Sequence, residues 1–260
     1  MPPVVPPLPS APGSGSGSGS GSGQGSSSSA DPLAWLDDLE GVPSAYAATR
    51  DGIDVMLRDR GLRRTTPEQT TESLLRGAHA SAVLEGSTST PEEIWAGDGD
   101  ATAQAAVRVS TEVLSLVPVL GRSPLQAVAR LHALTGGASP GQPVDAEAAA
   151  RLQSLARTLL GTRAPALVVA ALVHAELVTA APFAACNGIV ARAAERLVMV
   201  ARGVDPASLV VPEAGHLALR AAYEANLRGY RDGGRAGLQA WLLYGAEAQA
   251  AGAEASPLRR

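Results

Sequence analysis

The most apolar stretch of the chain runs from Ala164 to Cys186. Ten apolar or small residues lead into His174 and Glu176, and Pro182 breaks the run. Its uncharged part is too short to span a bilayer, and Glu176 near its centre would cost about 3 kcal/mol on insertion. The stretch therefore reads as a buried central helix rather than a membrane segment. Proline and glycine divide the rest into further helical segments. One is expected from Ser44, as cap, to about Arg60. Another opens at Thr66-Pro67 and ends near Gly86, and a short one covers Pro91 to Trp95. The others fall at about 100–117, 123–135, 144–161, 165–180, 188–203, 212–230 and 234–251. Ser123-Pro124, Asp145 and Pro212-Glu213 supply helix-start signals. Strand signals are nearly absent. The expected fold is all-α, a single domain of about eight to ten helices over residues 31–260.

Composition agrees with that pattern. Hydrophobic residues make up 45% of the 260 residues but aromatics only 3%, so the apolar content is Ala, Leu and Val, which suits helices. All 21 basic residues are arginine. The lack of lysine excludes a Walker A loop, a Schiff base and a Ser-x-x-Lys centre. A single cysteine, Cys186, excludes an internal disulfide framework and a cysteine-based zinc site. A net charge of −4 and a pI near 5.6 give no footprint for nucleic acid. Residues 1–30 are rich in proline, then glycine and serine, with almost nothing to bury, so a disordered tail is expected. The tail lacks the basic and apolar regions of a secretory signal, so a cytoplasmic protein is expected.

The segment with the most chemical content is Ala181-Pro182-Phe183-Ala184-Ala185-Cys186-Asn187-Gly188-Ile189-Val190-Ala191-Arg192. A long apolar helix ends, a Pro-Phe pair turns the chain, and Asn-Gly opens a new helix. Phe183 is the only phenylalanine and is expected to pin the loop to the core. Asn187 can satisfy backbone groups, and Gly188 lets a ligand approach the main chain. A loop feeding a helix N-terminus is a natural anion site, and Arg192, one turn in, can reach back toward a phosphate.

These residues resemble the Fic (Fido-fold) family, whose members commonly transfer AMP from ATP to a protein hydroxyl. The family motif is His-Pro-Phe-x-(Asp/Glu)-Gly-Asn-Gly-Arg-x-x-Arg, and Pro182, Phe183, Asn187, Gly188 and Arg192 match it in register. A second element, the inhibitory (Ser/Thr)-x-x-x-Glu-(Gly/Asn) sequence, is matched by Ser81, Glu85 and Gly86 at the end of a helix at about 67–86. The resemblance implies an all-helical Fic-like domain with its motif loop at 181–192. It also implies an anion or nucleotide site at Asn187, Gly188 and Arg192, and a regulatory Glu85 paired with Arg192.

Against that pattern the general base falls at Ala181, the metal-binding acid at Ala185, the first glycine at Cys186 and the first arginine at Ile189. Loss of a positioned base costs roughly 10²–10⁴-fold, and loss of the metal's charge several kcal/mol more. His174 lies two turns upstream, about 10 Å along a helix, too far to substitute. The resulting expectation is a Fic-like pseudoenzyme that binds a nucleotide, with ATP as candidate ligand, or a protein partner, with no catalytic or metal-ligating residue assigned. A homodimer is the candidate assembly. The alternatives are an active adenylyltransferase or related phosphate-group transferase using non-standard residues, and a structural interaction module whose pocket is filled by Ala181, Ala185 and Ile189.

Other residues have plainer expectations. His174 reads as a satisfied core histidine and His79 as partly exposed. His132 and His216 lack metal-ligand spacing to each other or to Cys186. Asp98-Gly-Asp100 reads as a loop, Trp35, Trp95 and Trp241 as packing anchors, and Arg58, Arg60, Arg63 and Arg64 as a solvated helix end.

Overall fold

A computed structural model describes residues 31–59 and 65–259. The expected N-terminal tail, and Arg60, Arg63 and Arg64, lie outside the described residues. Those described form an all-helical domain without strands. The helices are α1 (Val42–Asp59), α2 (Pro67–Leu84), α3 (Pro91–Ala96), α4 (Ala101–Glu112), α5 (Val117–Leu120) and α6 (Pro124–Leu134). They continue as α7 (Ala146–Gly161), α8 (Ala166–Ala180), α9 (Asn187–Ala201), α10 (Pro212–Ala218), α11 (Arg220–Asp232) and α12 (Gly234–Glu254).

At the centre α8 packs along α9, and α12 crosses α8 while contacting α1, α10 and α11. Helix α8 is apolar on every side and buried at nearly every position, as the uninterrupted Leu-Val-Val-Ala-Ala-Leu-Val run requires. Trp241 of α12 is fully buried, and its indole N–H donates to the Ala171 carbonyl at 2.9 Å. Small residues let backbones meet. A Cβ at Gly215 of α10 would overlap the Ala248 carbonyl of α12.

Local chemistry sets the helix ends that matter for the site. Thr66 closes a capping box with Gln69, and Pro67 occupies the first turn of α2. Gly86, at φ +90°, terminates α2, with the Ser87 N–H returning to the Ala82 carbonyl at 3.0 Å. Ser87 Oγ then donates to Asp100 at 2.7 Å, and the other Asp100 oxygen caps α4 through Ala103 N–H at 2.8 Å. Asp98-Gly-Asp100 is thus a loop ending in a helix cap.

Several boundaries depart from expectation. Helix α1 begins at Val42, and Ser44 donates its hydroxyl to the Gly41 carbonyl instead of capping. The helix expected over 100–117 stops at Glu112 and passes through a 3₁₀ turn, Val113–Leu116, into α5. Pro118 accounts for this, since its ring removes a donor and crowds the carbonyl four residues back. The Ala101–Leu120 run is apolar and long enough to cross a membrane, but it is half buried and packs on α2, α6 and α9 as a core segment. Ser123 makes no side-chain cap, and neither does Val211 before Pro212. The helix expected over 212–230 breaks at Leu219 (φ −106°, ψ 30°). No proline or glycine marks that break. Gly215 must seat against α12 while Tyr223 and Leu227 turn into the core against α8, and one straight helix cannot serve both. A 3₁₀ turn at Ala34–Asp38 was not signalled either. Ahead of it, Asp31 accepts from Thr162 Oγ1 (2.8 Å) and Arg163 N–H (2.6 Å), fastening the start of the domain to the α7–α8 turn.

Gly215→Ala should lower stability by about 2–3 kcal/mol in chemical denaturation, because the added methyl forces α10 off α12. Gly229→Ala, where the same atom meets open space within α11, should raise stability by about 0.5–1 kcal/mol.

Candidate functional site

The corner between α8 and α9 is built from strained backbone held by short-range bonds. Ala181 (φ 42°) and Cys186 (φ 60°) both adopt the left-handed conformation and bracket the loop. Each costs on the order of 1 kcal/mol relative to glycine. Three contacts offset that cost. Asn187 clasps the loop from both directions, accepting from Phe183 N–H at 3.0 Å and donating to the Phe183 carbonyl at 2.7 Å. Phe183 is buried and stacks on His132, with ring centroids 4.0 Å apart and planes 4° from parallel. Val144 N–H donates to the Pro182 carbonyl at 2.9 Å. His132 is structural here: its Nδ1 accepts from Gly141 N–H at 2.9 Å.

Ser81, Glu85 and Gly86 lie at the end of α2, facing the start of α9. Arg192 is 1% exposed, and four acceptor groups surround its guanidinium. Nε donates to Ser81 Oγ at 2.9 Å, and Nη2 to the Ser81 carbonyl at 3.1 Å and to Glu85 Oε1 at 2.8 Å. Nη1 donates to the Tyr223 hydroxyl at 3.3 Å. The pairing expected between Glu85 and Arg192 is formed. The Glu85 carboxylate lies directly over Gly188, where a Cβ would overlap it. Gly188 is therefore small because the resident carboxylate needs its space. The carboxylate sits at the N-terminus of α9, where the helix dipole favours negative charge.

All three residues expected to receive an anion are thus engaged within the chain. Asn187 holds the loop, Gly188 is covered by Glu85, and Arg192 is enclosed. Ala181 and Ala185 are exposed, whereas Ile189 is buried in the core. Of the three residues expected to fill a pocket, Ile189 is buried and Ala181 and Ala185 are not. Hollows of about 300 Å³ beside Tyr46 and about 330 Å³ beside Trp95 lie elsewhere. Trp95 is half exposed, and Trp35 packs beneath the Arg235 guanidinium at 5.4 Å. Of the three tryptophans, Trp241 is the fully buried anchor. His79 is half-buried, as expected.

Behind Arg192 lies a buried polar network that no spacing in the chain announces. Tyr223 Oη is 2.9 Å from His174 Nε2, and His174 Nδ1 is 2.6 Å from Glu195 Oε2. His216 Nε2 is 2.8 Å from the same oxygen, and His216 Nδ1 is 2.8 Å from the Tyr244 hydroxyl. Gln249 donates to Glu195 Oε1 at 2.9 Å. Burial alone would raise the Glu195 carboxyl, but the facing His216 and His174 hold it well below the usual range. An ionised Glu195 accepting from both rings places the protons on His174 Nδ1 and His216 Nε2. Burial, with the neighbouring His216 ring and the Arg192 charge, pushes His174 down to about 4, against the pull of Glu195. His174 is the satisfied core histidine expected. By donor type, His174, Glu195 and His216 could also hold a divalent metal. Their separations are those of hydrogen bonds, and every ring nitrogen already has a partner.

No family model matches the chain, and no curated protein matches it. Solved structures do. A Fic family protein from Desulfovibrio desulfuricans G20 superposes with a TM-score of 0.65 at 18% identity, covering 82% of this chain and 74% of that one. Fic-1 from C. elegans superposes with a TM-score of 0.59 at 18% identity, covering 86% of this chain and 73% of that one. At this identity the likeness is one of architecture: the chain has the all-helical Fic fold.

The His174 environment sets a pH dependence. The unfolded ring takes a proton near pH 6.5, the folded ring only near pH 4. Stability from the neutral ring is therefore complete above pH 6.5 and is lost as pH falls through that window. Urea unfolding should show a loss of about 2 kcal/mol between pH 7 and pH 5. His174→Gln should flatten that slope; an unchanged slope counts against a neutral buried ring.

Proposed function

We propose that this chain is a Fic-like pseudoenzyme that binds a nucleotide or related phosphate at the N-terminus of α9, in competition with its own Glu85. The observation that carries this reading is the Glu85 carboxylate itself. An anion already occupies the mouth of α9, bonded to Arg192 at 2.8 Å and lying over a glycine that leaves room for it. A phosphate oxygen offers the same charge and the same acceptor geometry to Arg192. Gly188 and the clasp from Asn187 would keep the main chain accessible to it. In the family that the sequence resembles, the corresponding glutamate restrains nucleotide placement, and the ligand implied is ATP.

Catalysis is set apart from binding by three positions. The base position is Ala181 and the metal-acid position is Ala185, both exposed and without an ionisable group. His174 cannot stand in for the base. It is fully buried, and both ring nitrogens are engaged.

Calorimetric titration of ATP separates the readings. Glu85→Ala should bind at least about tenfold more tightly than the unaltered chain, because the internal competitor is gone. Neither form should pass label from ATP to proteins of a lysate. No heat at millimolar nucleotide with Glu85→Ala removes the binding reading. Label transfer that is abolished by Arg192→Ala establishes the transferase alternative instead.

A further inference from the structure

Arg192 is anchored by groups that do not depend on Glu85. Ser81, 3% exposed and one turn back in α2, takes Nε and one proton of Nη2. Tyr223, from α11, takes Nη1. Glu85 differs from these. Its side chain is 31% exposed, and it is the C-cap of α2, just before the left-handed Gly86. A rotation of the Glu85 side chain frees the mouth of α9 and leaves Ser81 in place.

The direction of the Tyr223 hydroxyl proton follows from the residues behind it. Glu195 Oε2 accepts from His174 Nδ1, so the opposite ring nitrogen, Nε2, carries a lone pair. Tyr223 must therefore donate to His174, and its oxygen lone pairs face Arg192. On the far side His216 repeats the arrangement, donating to Glu195 and accepting from Tyr244. Gln249, from α12, holds the second Glu195 oxygen. Helices α8, α9, α10, α11 and α12 thus all fix the orientation of one hydroxyl.

We propose that Tyr223 and His174 are positioning residues for Arg192. The Tyr223 hydroxyl, oriented by His174, holds the guanidinium in the pose that meets an anion at α9, whether that anion is Glu85 or an external phosphate. The part concerning an external phosphate rests on the binding reading above. The part concerning Arg192 rests on the hydrogen bonds alone.

Nitrogen-15 NMR of the arginine side chains tests it. A guanidinium held at both ends cannot rotate freely about its Cζ–Nε bond, so Arg192 should show separate Nη1 and Nη2 signals. They should be separate in the unaltered chain and in Glu85→Ala. Tyr223→Phe, which leaves Nη2 bonded to Ser81 and Glu85, should speed the exchange between them measurably. His174→Gln, whose amide can reach the Nε2 position and accept from Tyr223, should leave the exchange rate near that of the unaltered chain. His174→Asn, which reaches only the Nδ1 position, should speed it. An unchanged exchange rate in Tyr223→Phe overturns the proposal, as does identical behaviour of the two His174 variants; that pair decides if Tyr223→Phe does not fold. In the Glu85→Ala background, adding Tyr223→Phe should weaken pyrophosphate binding about tenfold, and an unchanged affinity overturns the proposal. If Glu85→Ala alone binds no pyrophosphate, the binding reading fails, and the NMR result still decides whether Tyr223 positions Arg192.

Discussion

A guanidinium that is almost wholly out of water must keep its charge matched, and at Arg192 the matching is done by the end of α2. That requirement fixes much of the surrounding structure. Helix α2 must stop at Glu85, so Gly86 turns left-handed there. The first turn of α9 must offer a residue lacking a Cβ, so Gly188 lies under the carboxylate. The α8–α9 corner must be tight enough to aim α9 at α2. Ala181 and Cys186 accept unfavourable backbone angles for that reason, and Asn187 and the Phe183–His132 stack restrain them. The two partners are unequal. Arg192 is buried among four acceptor groups, so its removal would take a donor from Ser81 and Tyr223 as well as from Glu85. Glu85 is partly solvated, and its departure leaves Arg192 three protein contacts. That asymmetry makes Glu85 the exchangeable member.

How much of this was legible in the sequence depends on whether the signal was local. The end of α2 and the α8–α9 corner are written in short motifs: Ser81-x-x-x-Glu85-Gly86, and Pro182-Phe183 with Asn187-Gly188. Asn187 and Gly86 act on backbone within a turn of themselves, so spacing carries that local geometry, whereas the contacts of Ser81 and Glu85 with Arg192 span 111 and 107 residues and were expected from the family resemblance. The helical class was visible from Ala- and Leu-rich segments punctuated by proline and glycine. The network behind Arg192 was not visible. Glu195 lies 21 residues from both His174 and His216, Tyr223 lies 49 from His174, and Gln249 lies 54 from Glu195. Only packing of five helices joins them, and no periodicity records it. The break at Leu219 escaped for the same reason, since it answers to contacts on two sides of the domain.

Two positions of the α8–α9 corner depart from the family motif that the sequence resembles. Positions 181 and 185 carry exposed methyl groups, which can neither take a proton nor hold a metal ion. The rest of the corner is held within the chain: Glu85 lies over Gly188 at the start of α9 and bonds to Arg192. The polar network lies behind Arg192 and is joined to it through Tyr223. Its cost in buried polar groups is offset because nearly every donor and acceptor is paired; among the described residues, Gln249 Oε1 is a buried atom of the network without a partner.

A double-mutant cycle between Glu85 and Arg192, read by equilibrium unfolding, addresses the central contact most directly. Glu85→Gln, Arg192→Met and the double variant give a coupling energy free of the separate effects of each change. The structure predicts a favourable coupling of about 1–3 kcal/mol that weakens little in high salt, because one partner is buried. Additive effects within about 0.3 kcal/mol would mean that the two side chains do not meet, and the account of the site would not stand.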